Sequence, residues 1–166
     1  MFKVNFIKVL LNIAIILIIF FVDRISKIYI LKIAELENTV DIYLTSYINL
    51  YLIWNKGIAF GLFSFEENFI YHSISLVIFI ISIVLIIMMT KSEGFKKYSL
   101  ILILGGALGN LFDRIYYSAV PDFIDLHIKG FHWFIFNVAD IFITLGVFCL
   151  IYVEIFFNKG RNEDFK

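Results

Sequence analysis

Asp140 is the residue whose position in the sequence most clearly suggests chemistry. It lies early in a long apolar stretch, has no basic residue within four positions, and shares a helical face with Asn137 and Thr144. A lone buried carboxylate is costly unless it is protonated or hydrogen-bonded. Two neighbouring carboxyl groups tend to share one proton, so that one can activate a water while the other polarises a carbonyl. Asp140 therefore predicts hydrolytic chemistry if a second carboxyl group lies beside it.

Spacing alone does not identify that second carboxyl group. Asp113, Asp122 and Asp125 all belong to the third apolar stretch or to the segment that follows it, and each could approach Asp140. Asp113 could instead mark the end of a helix beside Arg114, where a charged side chain reaches water at little cost. Asp125 is also explained by solvation in a loop, so the choice stays open on the residues alone.

The remaining polar residues of the apolar stretches fall at one level of the predicted bundle. Asp23 and Lys27 are four apart, a spacing that suits an ion pair on one face of a helix. A charge at the centre of a membrane helix costs about 2.5–3.5 kcal/mol on insertion scales, so such residues tend to be functional. We expect one polar layer on the outer side of the membrane, contributed by three helices and formed by Asp23, Arg24, Lys27, Asn110, Asp113, Arg114, Asp122, Asp125, Asn137 and Asp140.

Other site chemistries find less support in the sequence. The three histidines, His72, His127 and His132, form no H-E-x-x-H motif, and no two are spaced as zinc ligands on one helix face. We interpret His127 and His132 as interfacial residues of a loop. Cys149 is the only cysteine, which excludes an internal disulfide, and it reads as a packing residue. We therefore expect neither a metal nor a cofactor.

These polar residues interrupt a strongly apolar chain. Of its 166 residues, 61% are hydrophobic and 17% are charged, against about 45–50% and about 25% in a typical soluble domain. A helix needs roughly 20 apolar residues to cross a bilayer core. We expect a single all-α membrane domain over residues 1–166, a four-transmembrane-helix bundle with helices at about 4–22, 69–89, 98–114 and 134–157. Gly105 and Gly109 in the third helix predict close packing against a neighbour. The zero net charge gives no reason to expect nucleic acid.

The connecting segments predict a second kind of structure. Lysine and arginine residues collect on one side of the predicted bundle, so both termini are expected to face the cytoplasm and segments 31–67 and 115–133 to lie outside. Residues 42–55 alternate along the chain with Ile48, Leu50, Leu52 and Trp54 on one face, which is the period of a strand. A small extracytoplasmic β-sheet at the membrane surface is therefore expected. Residues 131–136 read as an interfacial aromatic belt.

Five sequence blocks lie in order along nearly the whole chain and read DRISK (23–27), NKGIAFG (55–61), GGALGNLFDR (105–114), VPDFID (120–125) and FNVAD (136–140). The third and the fifth block are the most specific. Together the five blocks resemble one family, the lipoprotein signal peptidases or type II signal peptidases.

The resemblance implies an aspartyl endopeptidase whose catalytic residues are Asp122 and Asp140. It implies a diacylglyceryl-modified prolipoprotein as substrate, cut just before its lipidated cysteine, and globomycin-type peptide antibiotics as inhibitors. It also implies a multi-pass protein of the bacterial cytoplasmic (inner) membrane, in contact with membrane lipids, without a metal and with a site complete in one monomer. The matching positions that would bind substrate are Asn55, Gly57, Asn110, Arg114 and Asn137, and those that would support the site are Asp23, Lys27 and Asp113.

One residue departs from the family pattern. Pro121 stands where the family usually has valine before the catalytic aspartate, and it removes one backbone N–H. We expect Asp122 to keep its place, because the stretch is extended in any case.

Two other functions explain the sequence less well. A proton-coupled transporter would need polar residues through the full depth of the membrane, whereas here they gather in one layer. A non-enzymatic assembly factor would leave the buried Asp140 unexplained.

Overall fold

The computed structural model describes residues 6–57 and 68–156, which form four helices and one four-stranded antiparallel sheet. All four helices are long and apolar enough to cross a membrane. The predicted fold class, a four-helix membrane bundle with a small sheet, is confirmed. In chain order the elements are α1 (Phe6–Glu37), β1 (Asp41–Tyr43), β2 (Ile48–Asn55), α2 (Asn68–Lys91), α3 (Gly94–Tyr117), β3 (Val120–Ile128), β4 (Phe131–Phe136) and α4 (Val138–Phe156).

Helix α1 is much longer than the apolar stretch that predicts it. The apolar residues end near Val22, but the helix continues to Glu37, so Asp23 and Lys27 lie inside it rather than at its end. The helix can continue because these charged side chains are buried against partners from α3. Beyond them, Ile30 packs under the sheet in a cluster with Val40 and Phe123. The last turns of α1 therefore connect the bundle to the sheet.

Helix α3 lies at the centre of the bundle and contacts the other three helices. It is the most polar of the four and also the most buried. Its small residues explain the close packing. A Cβ on Gly105 would lie 2.9 Å from the Ile19 side chain of α1, and one on Gly106 would lie 2.5 Å from the Ala139 carbonyl oxygen of α4. The predicted packing role of the α3 glycines is thus seen on two sides of the helix.

The sheet has the order β1-β2-β3-β4, and two irregularities decide which side chains share a face. Strand β2 carries an extra residue between Leu50 and Ile53 relative to β3. The expected strict alternation of 48–54 is therefore broken: Leu50 and Leu52 pack on the core cluster, whereas Trp54 is 46% exposed. A bulge of this kind changes the direction of the following side chains. The two-residue loop Lys129–Gly130, with positive φ at both residues, closes the β3–β4 hairpin.

The fourth helix begins later than its apolar stretch. Residues 131–136, expected as an interfacial belt that leads into a helix from about residue 134, form strand β4 instead, and α4 starts at Val138. Asn137 caps the start of the helix, and the residues before it are held extended by their pairing with β3. Asp140 accordingly lies in the first turn of α4.

Candidate active site

A cavity of about 230 Å³ opens between the bundle and the sheet. Its apolar wall comes mainly from α2, α3 and α4, and its polar wall comes from α3, from the ends of β2 and β3 and from the first turns of α4. The polar side chains that line it are Asn55, Asn110, Arg114, Asp122, Asn137, Asp140 and Thr144. The cavity thus brings together Asp122, Asp140 and four of the five predicted binding residues.

Asp140 is positioned by the start of its own helix. Its backbone N–H donates to Asn137 Oδ1 over 3.1 Å, and its Oδ2 accepts from the Asn137 backbone N–H over 3.2 Å. This reciprocal pair is a capping box, with an asparagine and an aspartate in the two roles. Its other oxygen, Oδ1, accepts from Asn110 Nδ2 of α3 over 2.8 Å. Both carboxylate oxygens are therefore held, and the side chain is 6% exposed at the cavity wall.

Asp122 is held from two sides by amides. Asn137 Nδ2 donates to Oδ1 over 2.6 Å, and Asn55 Nδ2 donates to Oδ2 over 2.8 Å. Asn137 thus contacts both aspartates, Asp122 through its amide group and Asp140 through the capping pair. Pro121 lies in β3 opposite Trp54. At this end β3 pairs only with β2 among the described strands, and a strand with one free edge tolerates proline.

The environment of Asp122 changes its acidity. Burial, and after it the nearby Asp140 charge, raise the pKa of this carboxyl group from 3.8 to about 7, although the hydrogen bonds from Asn55 and Asn137 act in the opposite direction. A carboxyl group with a pKa near neutrality can both hold and release a proton under ordinary conditions. This is the property that a general acid or base needs.

Outside the cavity, a buried ion cluster joins α1 to α3. The Lys27 ammonium group contacts Asp23 Oδ2 at 2.9 Å and Asp113 Oδ2 at 2.6 Å, and Arg24 lies 2.5 Å from Asp113 Oδ1. Asp23, Lys27 and Asp113 are fully buried. The helix-end interpretation of Asp113 is therefore wrong, since that carboxylate is engaged by two cations. Asp113 and Asp23 neutralise Lys27 and do not face the cavity.

Two further contacts connect this cluster to the cavity wall. Asp23 Oδ1 accepts a hydrogen bond from the Ala139 backbone N–H in the first turn of α4, over 3.0 Å. A Cβ on Gly109 would lie 2.7 Å from Asp23 Oδ2, so the glycine leaves room for that carboxylate. Asn110 Oδ1 accepts from Lys27 Nζ over 2.9 Å. The cluster thus orients both α4 and the amide that holds Asp140.

Arg114 and Gly57 meet at the rim of the cavity. Arg114 Nη2 donates to the Gly57 carbonyl oxygen over 2.7 Å, and the Gly57 N–H donates to Asn55 Oδ1 over 2.8 Å. Arg114 therefore fixes the segment that leaves β2, while Asn55 uses both ends of its amide. Residues 58–61 of the NKGIAFG block lie outside the described residues.

Two groups of residues were not anticipated from the sequence. Asp125 is fully buried, so its interpretation as a solvated loop residue is wrong, and His127 and His132 lie in strands beside it rather than in a loop. The apolar cavity wall, which includes Ile78 and Ile81 of α2, could not be identified either. Long apolar helices carry no sequence signal that separates lipid-facing from cavity-facing residues.

The fold and the cavity define a class, a multi-pass membrane protein with a carboxylate pair at the junction of bundle and sheet. Residues 15–157 match the family model described as signal peptidase (SPase) II. The chain belongs to the signal peptidase II family, whose members are membrane peptidases.

Individual relatives agree with that assignment. The chain is 59% identical over 162 residues to the lipoprotein signal peptidase of Pelagibacter ubique (strain HTCC1062), covering 98% of each chain. It is 40% identical over 154 residues to that of Anaplasma phagocytophilum (strain HZ), covering 89% of this chain and 94% of the relative. Among solved structures, a bacterial membrane enzyme determined at 2.3 Å resolution superposes with a TM-score of 0.67 at 27% identity, covering 87% of each chain.

Proposed function

We propose that this protein removes the signal peptide from diacylglyceryl-modified prolipoproteins, cutting just before the lipidated cysteine. Asp122 and Asp140 share one proton and activate a water for attack on the scissile carbonyl. The ionised carboxylate takes a proton from the water, and the protonated partner donates a hydrogen bond to the carbonyl oxygen as negative charge develops there. The tetrahedral intermediate then collapses, with the proton passing to the leaving amine, and no acyl-enzyme forms.

The observation that carries this proposal is the sharing of Asn137 between the two aspartates. Its side-chain amide donates to Asp122, while its capping contacts hold Asp140. Because Asn137 contacts both carboxyl groups, this one residue orients them relative to each other. The rival carboxylates are occupied elsewhere: Asp113 with Lys27 and Arg24, and Asp125 with His132. Asp122 is thus the best supported partner of Asp140.

The surroundings of Asp140 suit a substrate that is apolar on both sides of the cut. Asp140 and Thr144 line the cavity described above and also a second, larger space of about 430 Å³. The second space is walled by Phe134, Phe136 and Phe148 together with apolar residues of α4. The apolar stretch of a signal peptide fits one side, and the acyl chains at the lipidated cysteine fit the other, in contact with membrane lipid.

Polar side chains at the cavity supply the contacts for an extended peptide. Asn55, Asn110 and Arg114 line the cavity, and Arg114 holds the Asn55–Gly57 turn at its rim. Globomycin-type peptides would compete for the same contacts. We place this site on the outer face of the cytoplasmic membrane with both termini in the cytoplasm, from the distribution of lysine and arginine, and we expect one chain to form one site.

The test uses the purified full-length protein in detergent with a diacylglyceryl-modified prolipoprotein. We expect the wild type to release the signal peptide with the lipidated cysteine as the new N-terminus, identified by mass spectrometry. Asp122→Asn and Asp140→Asn should each lower the cleavage rate by at least about 1,000-fold, because neither can exchange the shared proton. Asp41→Asn, which changes an exposed aspartate of β1, is the matched control and should cleave normally.

Two outcomes would overturn the assignment. Cleavage by folded Asp122→Asn would transfer the second role to another carboxylate. A wild-type protein that binds but never cuts the lipidated substrate would remove the peptidase proposal for this chain.

A further inference from the structure

Three metal-binding side chains converge on one face of the β3–β4 hairpin. His132 Nδ1 lies 2.8 Å from Asp125 Oδ2, and His127 Nδ1 lies 3.4 Å from the same oxygen. One ligand atom from each residue falls within 4.8 Å of the other two. None of these residues lines the cavity that holds Asp122 and Asp140.

The strand geometry explains why these residues meet. Asp125 and His127 are two apart on β3, so their side chains point to the same face. Asp122 is an odd number of positions from both, so its side chain points to the other face. Across the hairpin, an extra residue in β4 shifts the register so that His132, and not Trp133, lies opposite His127. The bulge therefore aims His132 at Asp125, as bulges near functional sites often do.

The contacts among the three residues leave ligand atoms available. Asp125 Oδ1 and His127 Nδ1 are buried and have no hydrogen-bond partner among the described residues. Buried polar atoms are normally paired, so each such atom calls for an explanation. The Asp125 side chain is 1% exposed, whereas the His132 side chain is 57% exposed, which gives an ion a route from solvent.

From these contacts we propose that Asp125, His127 and His132 form a binding site for a divalent metal ion of the zinc type. Two imidazole nitrogens and a carboxylate oxygen are ligands that zinc accepts, with a water in the fourth position. Tetrahedral coordination with bonds of about 2.0–2.1 Å puts neighbouring ligand atoms about 3.3 Å apart. The two observed separations from Asp125 Oδ2, 2.8 and 3.4 Å, bracket that value, and the three ligand atoms lie within 4.8 Å of one another.

A metal in this place would stabilise the hairpin rather than take part in hydrolysis. The ion would bind β3 to β4 near the Lys129–Gly130 turn. At its other end the same hairpin carries Asp122 and leads directly into Asn137. The expected effect of the ion is therefore a higher thermal midpoint of unfolding (Tm).

The experiment uses the full-length protein in detergent, without a polyhistidine tag and stripped of metal by chelator. Zn²⁺ is titrated by calorimetry and its stoichiometry is measured by elemental analysis, and Co²⁺ absorption reports the geometry. We expect about one Zn²⁺ per chain, tetrahedral Co²⁺ bands and a Tm that rises by several degrees. His127→Gln and His132→Gln should each weaken binding at least about tenfold, the effect that even indirect ligand changes have.

The matched control is His72→Gln, which removes the third histidine, an exposed residue of α2, and should bind Zn²⁺ as the wild type does. Asp125→Asn tests the third ligand and should also weaken Zn²⁺ binding. If this change at a buried position impairs folding, the binding measured for His127→Gln and His132→Gln decides the proposal. Absence of stoichiometric binding to the wild type would overturn the proposal and leave a plain His–Asp hydrogen bond. Zn²⁺ binding that is unchanged in both His127→Gln and His132→Gln would overturn it as well.

Discussion

Lys27 of α1 donates a hydrogen bond to Asn110 of α3 over 2.9 Å, and both side chains are buried. Because the Asn110 oxygen faces the ammonium group, its Nδ2 must point the opposite way, and there it donates to Asp140 over 2.8 Å. A buried cation that does not line the cavity thus decides which end of an amide meets the proposed catalytic carboxylate. The ion cluster and the cavity are parts of one hydrogen-bond network.

The first prediction concerns the removal of that cation. Lys27→Met removes a positive charge that neutralises the buried carboxylates of Asp23 and Asp113. Loss of one partner from a buried ion pair lowers the free energy of unfolding by about 3–5 kcal/mol. We expect a large fall in Tm in detergent and a cleavage rate reduced at least as strongly as the folded fraction. Lys32→Met, at an exposed position of the same helix, should leave both quantities close to wild type. A Lys27→Met protein with wild-type Tm would contradict the role of this cluster.

The second prediction separates the two roles of Asn137. Serine is as good as asparagine at the start of a helix, but it has no amide to donate to Asp122. We expect Asn137→Ser to lower the free energy of unfolding by about 1 kcal/mol and Asn137→Ala by about 2 kcal/mol, since only alanine also loses the cap. Both should lower kcat about 100-fold, because Asp122 loses a positioning contact. If Asn137→Ser cleaves at the wild-type rate, the amide does not position Asp122.

The third prediction tests how closely α3 and α4 approach. A Cβ at Gly106 would lie 2.5 Å from a backbone oxygen of α4, whereas one at Gly105 would meet only the Ile19 side chain. Ile19 Cβ, 2.9 Å from the added group, cannot rotate away, so Gly105→Ala has to move α1, whereas Gly106→Ala has to move α4 and with it Asp140. We expect Gly106→Ala to lower Tm and kcat more than Gly105→Ala does. Equal effects of the two variants on kcat would show that α4 is not displaced.

The fourth prediction follows from the acidity of Asp122. Its pKa rises from the usual 3.8 to about 7 in the folded protein, so between these values the folded state binds a proton that the unfolded state has lost. Stability then falls as pH rises through this window and levels off above it. Asp122→Asn removes the effect. We expect wild-type Tm, relative to that of Asp122→Asn, to fall by several degrees between about pH 4 and about pH 7.5.

Parallel Tm curves for the two proteins across that range would be evidence against a raised pKa at Asp122. The comparison is made in one detergent, since the micelle contributes equally to both proteins.

Several parts of this structure could be predicted because they depend on local chemistry. The apolar stretches predict the four helices, since length and composition decide whether a helix can cross a membrane. The strand period of residues 48–54 predicts a sheet, and the i,i+4 spacing of Asp23 and Lys27 predicts their ion pair, observed at 2.9 Å. The five motif blocks predict family membership, which the match over residues 15–157 confirms.

Other parts depend on contacts between residues distant in sequence, and the sequence by itself left them undecided. Composition shows no reason for α1 to continue past Val22, because the reason lies in α3, where Asp113 neutralises Lys27. Asp125 looks like a loop residue until the β3–β4 register brings His132 beside it, and that register depends on one extra residue in β4. The sequence thus determined the four helices, the presence of a sheet and the family of the chain. Only the tertiary structure decided which polar groups meet, since a buried charge is stable only beside partners that the fold supplies.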